Sequence, residues 1–242
     1  MGRNPLGPAP LIYAHRGDRS RAPDNTLEAF ALAEEAGSDG IELDVRATRD
    51  QVLILNHDPS VPGLPPISTM DFADLRAAAP QVPTLVEMLA AVPGNVFLNV
   101  EIKNHPFELN YDPSGALARA TVEAIVEHDD PARILFSSFD PGTVGHCIDT
   151  GEDAAYGLLI DTVLPIEDGI ALALDLGVGA LHPAYPQLAE RPDDTVALIH
   201  DAGLAVVVWN ANTEAEVATS AASGSDVIIT DDPTMARRVV DG

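Results

Sequence analysis

The chain has 242 residues, 46% of them hydrophobic, and a formal net charge of −25. A surface this acidic repels nucleic acid and anionic membranes, so neither is expected as a partner. The single cysteine, Cys147, excludes an internal disulfide and a cysteine-based metal centre, and no run reaches the ~18 apolar residues of a membrane span.

Residues 1–10 are rich in Pro and Gly and lack the apolar core of a signal peptide. They read as a flexible lead, and a cytoplasmic location is expected. A strand is then predicted over Leu11–Ala14, a helix near Thr26–Glu35 and a strand over Gly40–Val45. The next apolar run, Val52–Asn56, follows a link of only six residues. So short a link allows a hairpin but is tight for a helical crossover, so this run reads as a β-ribbon extending the second strand. Asp58–Pro83, with four prolines between Pro59 and Pro66 and a short helical piece at Phe72–Ala78, reads as a loop over the same end. Helices are then predicted near Thr84–Ala91, Ser114–His128, Pro141–Thr150, Ile166–Leu176, Pro192–Ala202, Glu214–Ala222 and Pro233–Val240. They alternate with strands over Val96–Ile102, Arg133–Ser137, Ala155–Ile160, Val178–His182, Ala205–Trp209 and Asp226–Thr230.

Eight strand–helix units without a break predict an α/β fold, a (β/α)8 TIM barrel with a small ribbon-and-loop extension after the second strand, forming one domain over 1–242. The density of Val, Ile and Leu in the strands suits a parallel sheet covered on both faces. An open doubly wound sheet is the alternative. It usually carries a Gly-rich phosphate loop after the first strand, and His15-Arg16-Gly17-Asp18 is not that pattern.

Four of the apolar runs carry polar groups that are costly to bury unless paired or metal-bound. Side chains alternate along a strand, so Glu42 and Asp44 share one face, as do Asn99, Glu101 and Lys103. Functional groups of such barrels gather at the C-terminal ends of the strands. Three carboxylates meeting there would repel one another, and a hard divalent cation with oxygen ligands resolves this. Either carboxylate of the second strand alone would read as an ion pair to Arg16 or Arg46; the three together read as metal ligands. His15 and His57 each end an apolar run among charged neighbours and read as an acid/base pair. Arg16 and Lys103, the latter the only lysine among thirteen basic residues, read as phosphate contacts. Trp209 and His182, at the ends of the seventh and sixth strands, are further substrate-binding candidates. Asp231-Asp232 before Pro233 could line the site, but reads more simply as a helix cap.

His15-Arg16-Gly17, Pro23-Asp24-Asn25-Thr26, Glu42-x-Asp44, His57-Asp58 and Glu101-x-Lys103 together resemble the glycerophosphodiester phosphodiesterase family, and so do Ser137-Ser138-Phe139-Asp140, Val208-Trp209-Asn210 and Ile229-Thr230-Asp231-Asp232-Pro233. The resemblance runs from His15 to Pro233. It implies a (β/α)8 barrel that cleaves glycerophosphodiesters to sn-glycerol 3-phosphate and an alcohol. It implies one divalent cation, Mg2+ or Ca2+ with Mn2+ as a substitute, on Glu42, Asp44 and Glu101. It also implies acid/base roles for His15 and His57 and a phosphate contact for Arg16. The partner is then a small phosphodiester. The chain departs from the family at Asp24, where many relatives have Glu, and in the loop Ser60–Pro66. A lysophospholipase D-like or sphingomyelinase D-like phosphodiesterase is an alternative on the same barrel, and a non-catalytic phosphodiester-binding barrel is another.

Overall fold

Strands that are apolar on their outward face and polar only at one end form the wall of this computed structural model, which describes residues 10–108 and 110–242. The N-terminal lead lies outside the described residues except for Pro10. The elements in chain order are β1 (Leu11–His15), α1 (Leu27–Glu35), β2 (Gly40–Ala47), β3 (Leu53–Leu55), α2 (Phe72–Ala78), α3 (Leu85–Ala91) and β4 (Phe97–Ile102). They continue with α4 (Ala116–His128), β5 (Ile134–Ser138), α5 (Pro141–Ile148), β6 (Ala155–Ile160), α6 (Ile166–Leu176) and β7 (Ala180–Pro183). The last are α7 (Tyr185–Ala189), α8 (Pro192–Asp201), β8 (Ala205–Val208), α9 (Glu214–Ala222), β9 (Val227–Thr230) and α10 (Pro233–Asp241).

All strands but β3 pair in parallel in the order β1-β9-β8-β7-β6-β5-β4-β2, and a β1–β2 pairing closes the ring. The fold is therefore the TIM barrel expected. β3 pairs antiparallel with the far end of β2, Arg46 opposite Ile54, as the six-residue link demanded. The short α7 was not expected. Its Pro186 looks like a helix breaker in sequence but occupies the first turn, where no backbone N–H is needed.

The outward residues of the strands, such as Ile41, Leu43, Val45, Leu98, Val100 and Ile102, form the layer between sheet and helices. The inward set, including Tyr13, Leu135, Ala180, Val207, Val227 and Ile229, fills the barrel. Helix starts are set locally. Thr26 accepts a hydrogen bond from Ala29 N, Thr84 and Glu87 form a capping box, and Asp140 and Asp232 cap helices that open on a proline.

Large and small residues interlock inside the barrel. A Cβ on Gly157 would lie 2.3 Å from His182 Nε2, and one on Gly40 would lie 2.5 Å from the Tyr13 ring. Overpacking of this kind costs about 1–3 kcal/mol. Gly157→Ala is therefore expected to lower the unfolding free energy measured by urea denaturation by an amount in that range, and to cost less in a His182→Ala background, where the ring is gone. Equal costs in both backgrounds would show that the two positions do not compete for space.

Candidate functional site

The loop between β1 and α1 sets the first half of the site. Arg16, at φ 56°, and Gly17, at φ 85°, turn the chain sharply after His15. A Cβ at Gly17 would meet the Ala29 backbone at 2.6 Å, so only glycine fits there. The left-handed Arg16 is uncommon for a side-chain-bearing residue. It points the Arg16 amide at β2, where it donates to Glu42 O at 2.8 Å and Glu42 Oε2 at 3.1 Å. Asn25, at φ 53°, closes the same loop. Its Nδ2 donates to Asp44 Oδ2 at 2.8 Å, and its Oδ1 accepts from Asp44 N at 3.2 Å.

Register supplies the second half. Glu42 pairs with Asn99 and Asp44 with Glu101 across β2 and β4, while His15 pairs with Glu42 across β1 and β2. Glu42, Asp44 and Glu101 are all buried, and each offers a carboxylate oxygen within 4.8 Å of the others. Lys103 Nζ donates to Glu101 at 2.7 Å and lies 3.5 Å from Asp44 Oδ1. Arg16 Nε lies 3.0 Å from Asp44 Oδ2, and its Nη1 donates to Asp24 at 3.1 Å.

The cations and carboxylates do not balance evenly. Burial pushes the Glu42 carboxyl well above the usual range, and Asp44 and Glu101 push it further. Burial acts the same way on Asp44, but Lys103 and Arg16 outweigh it and hold that group low. Among the described residues, Glu42 Oε1 and Asp44 Oδ1 find no hydrogen-bond donor although both are buried. Two orphaned oxygens in an all-oxygen donor set fit a hard cation, so these three residues can hold one metal ion.

The two histidines stand differently. His15 is 7% exposed, its Nδ1 lies 2.5 Å from Asp231 Oδ1, and its Nε2 is 3.9 Å from Glu42 Oε2. Burial lowers its pKa, and the Asp231 contact only partly offsets this. Asp231 is itself held by Arg19 Nη1 at 3.0 Å and by Asn212, in both directions, at 3.1 and 2.8 Å. His57 follows β3 with a half-exposed ring whose Nδ1 lies 2.8 Å from Asp58 Oδ1.

A cavity of about 160 Å³ is lined by His15, Arg16, Glu42, His57, Glu101, Lys103 and Trp209, so eight of the nine residues singled out from sequence, counting Asp44 behind this wall, are brought together. His182 is not among them. It faces inward, opposite Leu159 on β6, but does not line the cavity; it is fully buried, and among the described residues neither ring nitrogen has a hydrogen-bond partner. The Trp209 indole instead donates to His182 O at 2.9 Å. Asn99 and Asn210 also line the cavity, and the buried Asn99 Nδ2 and Asn210 Oδ1 have no hydrogen-bond partner among the described residues. Neither was singled out from sequence, although Asn99 shares the parity of Glu101. Asp231 was read as cap material; the capping falls to Asp232 alone, and nothing local in the sequence shows its neighbour's contact with a histidine 216 residues away.

Over residues 15–235 the chain matches the sequence profile of the glycerophosphoryl diester phosphodiesterase family. It is 29% identical over 248 aligned residues, 92% of this chain and 94% of the other, to a glycerophosphodiester phosphodiesterase of Caldanaerobacter subterraneus subsp. tengcongensis. A glycerophosphodiester phosphodiesterase from Thermotoga maritima superposes with a TM-score of 0.80 at 25% identity, covering 96% of this chain and 98% of that one. A phosphodiesterase from Oleispira antarctica, solved with the product sn-glycerol-3-phosphate, shares the fold with a TM-score of 0.84 at 23% identity over 96% and 97% of the two chains.

Burial raises the pKa of the Glu42 carboxyl, so cation binding there is expected to be coupled to loss of a proton. Titration of the metal-free protein with Mn2+ is expected to release protons, seen as a buffer-dependent heat, and to tighten as pH rises above the ordinary carboxylate range. Glu42→Gln should abolish that proton release, and Glu101→Gln should weaken binding. Mn2+ affinity unchanged in both variants would remove the cation from this site.

Proposed function

We infer that this chain, which belongs to the glycerophosphoryl diester phosphodiesterase family, hydrolyses glycerophosphodiesters to sn-glycerol 3-phosphate and an alcohol with His15 and His57 as base and acid. The protein is a phosphoric diester hydrolase, as its relatives are. The observation that carries the finer reading is the meeting of two histidines from different strands with a buried carboxylate triad around one small cavity.

Glu42, Asp44 and Glu101 would hold one divalent cation, Mg2+ or Ca2+, which supplies charge stabilisation to the phosphoryl oxygens when bound. Arg16 and Lys103 lie against Asp44 and Glu101 and present positive charge to the same cavity. The unpartnered amide of Asn99 offers a donor to a substrate oxygen.

An ionised carboxylate can only accept, so Asp231 keeps the proton of neutral His15 on Nδ1 and leaves Nε2 as the lone pair near Glu42. A buried imidazole with a lowered pKa stays neutral near pH 7, which suits removal of a proton from the nucleophile. That nucleophile is water or the substrate's own glycerol hydroxyl. His57, half-exposed and paired with Asp58, lines the same cavity and suits protonation of the leaving alkoxide.

Loss of either histidine is expected to cut turnover of an alkyl glycerophosphodiester by ~10²–10⁴-fold without unfolding the protein. A nitrophenyl ester, whose leaving group needs no proton, should restore turnover to His57→Ala but not to His15→Ala. Turnover within a few-fold of the parent in both variants would sink the two-histidine reading, and rescue of His15→Ala alone would exchange the roles.

The acid limb of the rate follows the lowered His15 pKa, with activity lost as the ring protonates. Asp231 raises that pKa, so Asp231→Asn should move the limb to lower pH while slowing the plateau. A shift to higher pH would contradict the assignment of His15 as base.

A further inference from the structure

Arg46 lies two residues beyond Asp44 on β2 and is 2% exposed. A guanidinium this deep is costly unless its donors are used, and this one spends them on two loops. Nε and Nη2 donate to the main-chain carbonyl of His57 at 2.9 and 2.6 Å. Nη1 and Nη2 donate to the two carboxylate oxygens of Glu108 at 2.7 and 2.9 Å. The Glu108 partner sits on the segment after β4, whose turn is closed by Glu108 N donating to His105 O at 2.9 Å. That segment borders a second cavity of about 240 Å³, which shares Glu101, Lys103 and Phe139 with the first.

We propose that Arg46 and Glu108 are a positioning pair for His57, fixing its main chain relative to Asp44 and Glu101 from the segment beside the second cavity. Neither touches the reacting atoms. The ring of His57 is half-exposed and, among the described residues, is hydrogen-bonded only by its neighbour Asp58, so its place depends on where its backbone is pinned. Two hydrogen bonds from one rigid fork fix that carbonyl to β2, the strand that carries Glu42 and Asp44. The Glu108 carboxylate takes the Nη1/Nη2 edge of the fork, beside the Nε/Nη2 edge that holds the His57 carbonyl, and so orients the guanidinium. Burial tends to keep Glu108 protonated, but Arg46 overcomes it and the group stays below the ordinary carboxylate range. A buried ion pair is a poor source of stability compared with an apolar side chain, whereas a bidentate fork is a good ruler. Lysine in place of Arg46 could not reach both loops.

The proposal rests on the reading of His57 as an acid/base residue, and the test separates the two. Turnover of an alkyl and a nitrophenyl glycerophosphodiester is measured for the parent, Glu108→Gln, Arg46→Lys and His57→Ala, and for Glu108→Gln in the His57→Ala background. Misplacing a catalytic group by about 1 Å can cost up to ~100-fold. Glu108→Gln is expected to lower kcat for the alkyl ester by about 10-fold, with KM and Mn2+ affinity close to the parent. Its dependence on the leaving group should follow that of His57→Ala, and it should have no further effect once His57 is gone. Parent-like kcat in Glu108→Gln, equal losses on both esters when His57→Ala discriminates between them, or an additive loss in the double variant would each overturn the pair. Parent-like turnover in His57→Ala would overturn the acid/base reading itself. Should Arg46→Lys fail to fold, Glu108→Gln, altered at the more exposed end of the pair, still decides the matter.

Discussion

Three carboxylates brought within 4.8 Å of one another in a buried place are the constraint on which the upper end of this barrel depends. Like charges that close cannot all remain ionised without compensation. The chain compensates with its one lysine and with Arg16, which between them reach Asp44 and Glu101 and leave Glu42 the group most resistant to ionisation. A cation at the orphaned oxygens would complete the balance.

That constraint explains why the first loop takes an unfavourable backbone shape. Arg16 and Asn25 both occupy the left-handed region. In exchange, the Arg16 amide reaches the Glu42 carboxylate, and the Asn25 side chain grips Asp44 from both sides. Gly17 lets α1 approach so closely that no larger residue fits. The short acid Asp24 reaches Arg16 at 3.1 Å and adds a second carboxylate to that guanidinium.

Arginine sets the loops around the carboxylates as lysine could not. Arg19 joins Asp231 beside His15, and Arg46 joins Glu108 to the His57 backbone. A fork that donates in several directions at once fixes relative position, whereas an ammonium fixes mainly charge. Twelve arginines and one lysine is the composition of a chain whose cations are used in both ways.

The order of elements and the sidedness of each strand were determined by the sequence itself. Alternation with period two is a local property of the backbone, so Glu42, Asp44, Asn99, Glu101 and Lys103 could be assigned to the barrel interior without knowing which strands would meet. The six-residue link likewise sufficed to make β3 an antiparallel partner of β2. Depth and partnership were decided only by the tertiary structure. His182 obeys the same alternation, yet is buried and does not line the cavity, because parity fixes the face a side chain takes and not what surrounds it there. Asp231 beside His15, Asn25 beside Asp44 and Glu108 beside Arg46 are joined across 216, 19 and 62 residues. Such pairings follow from ring closure and loop conformation, which bring together residues whose own neighbours in sequence give no sign of it.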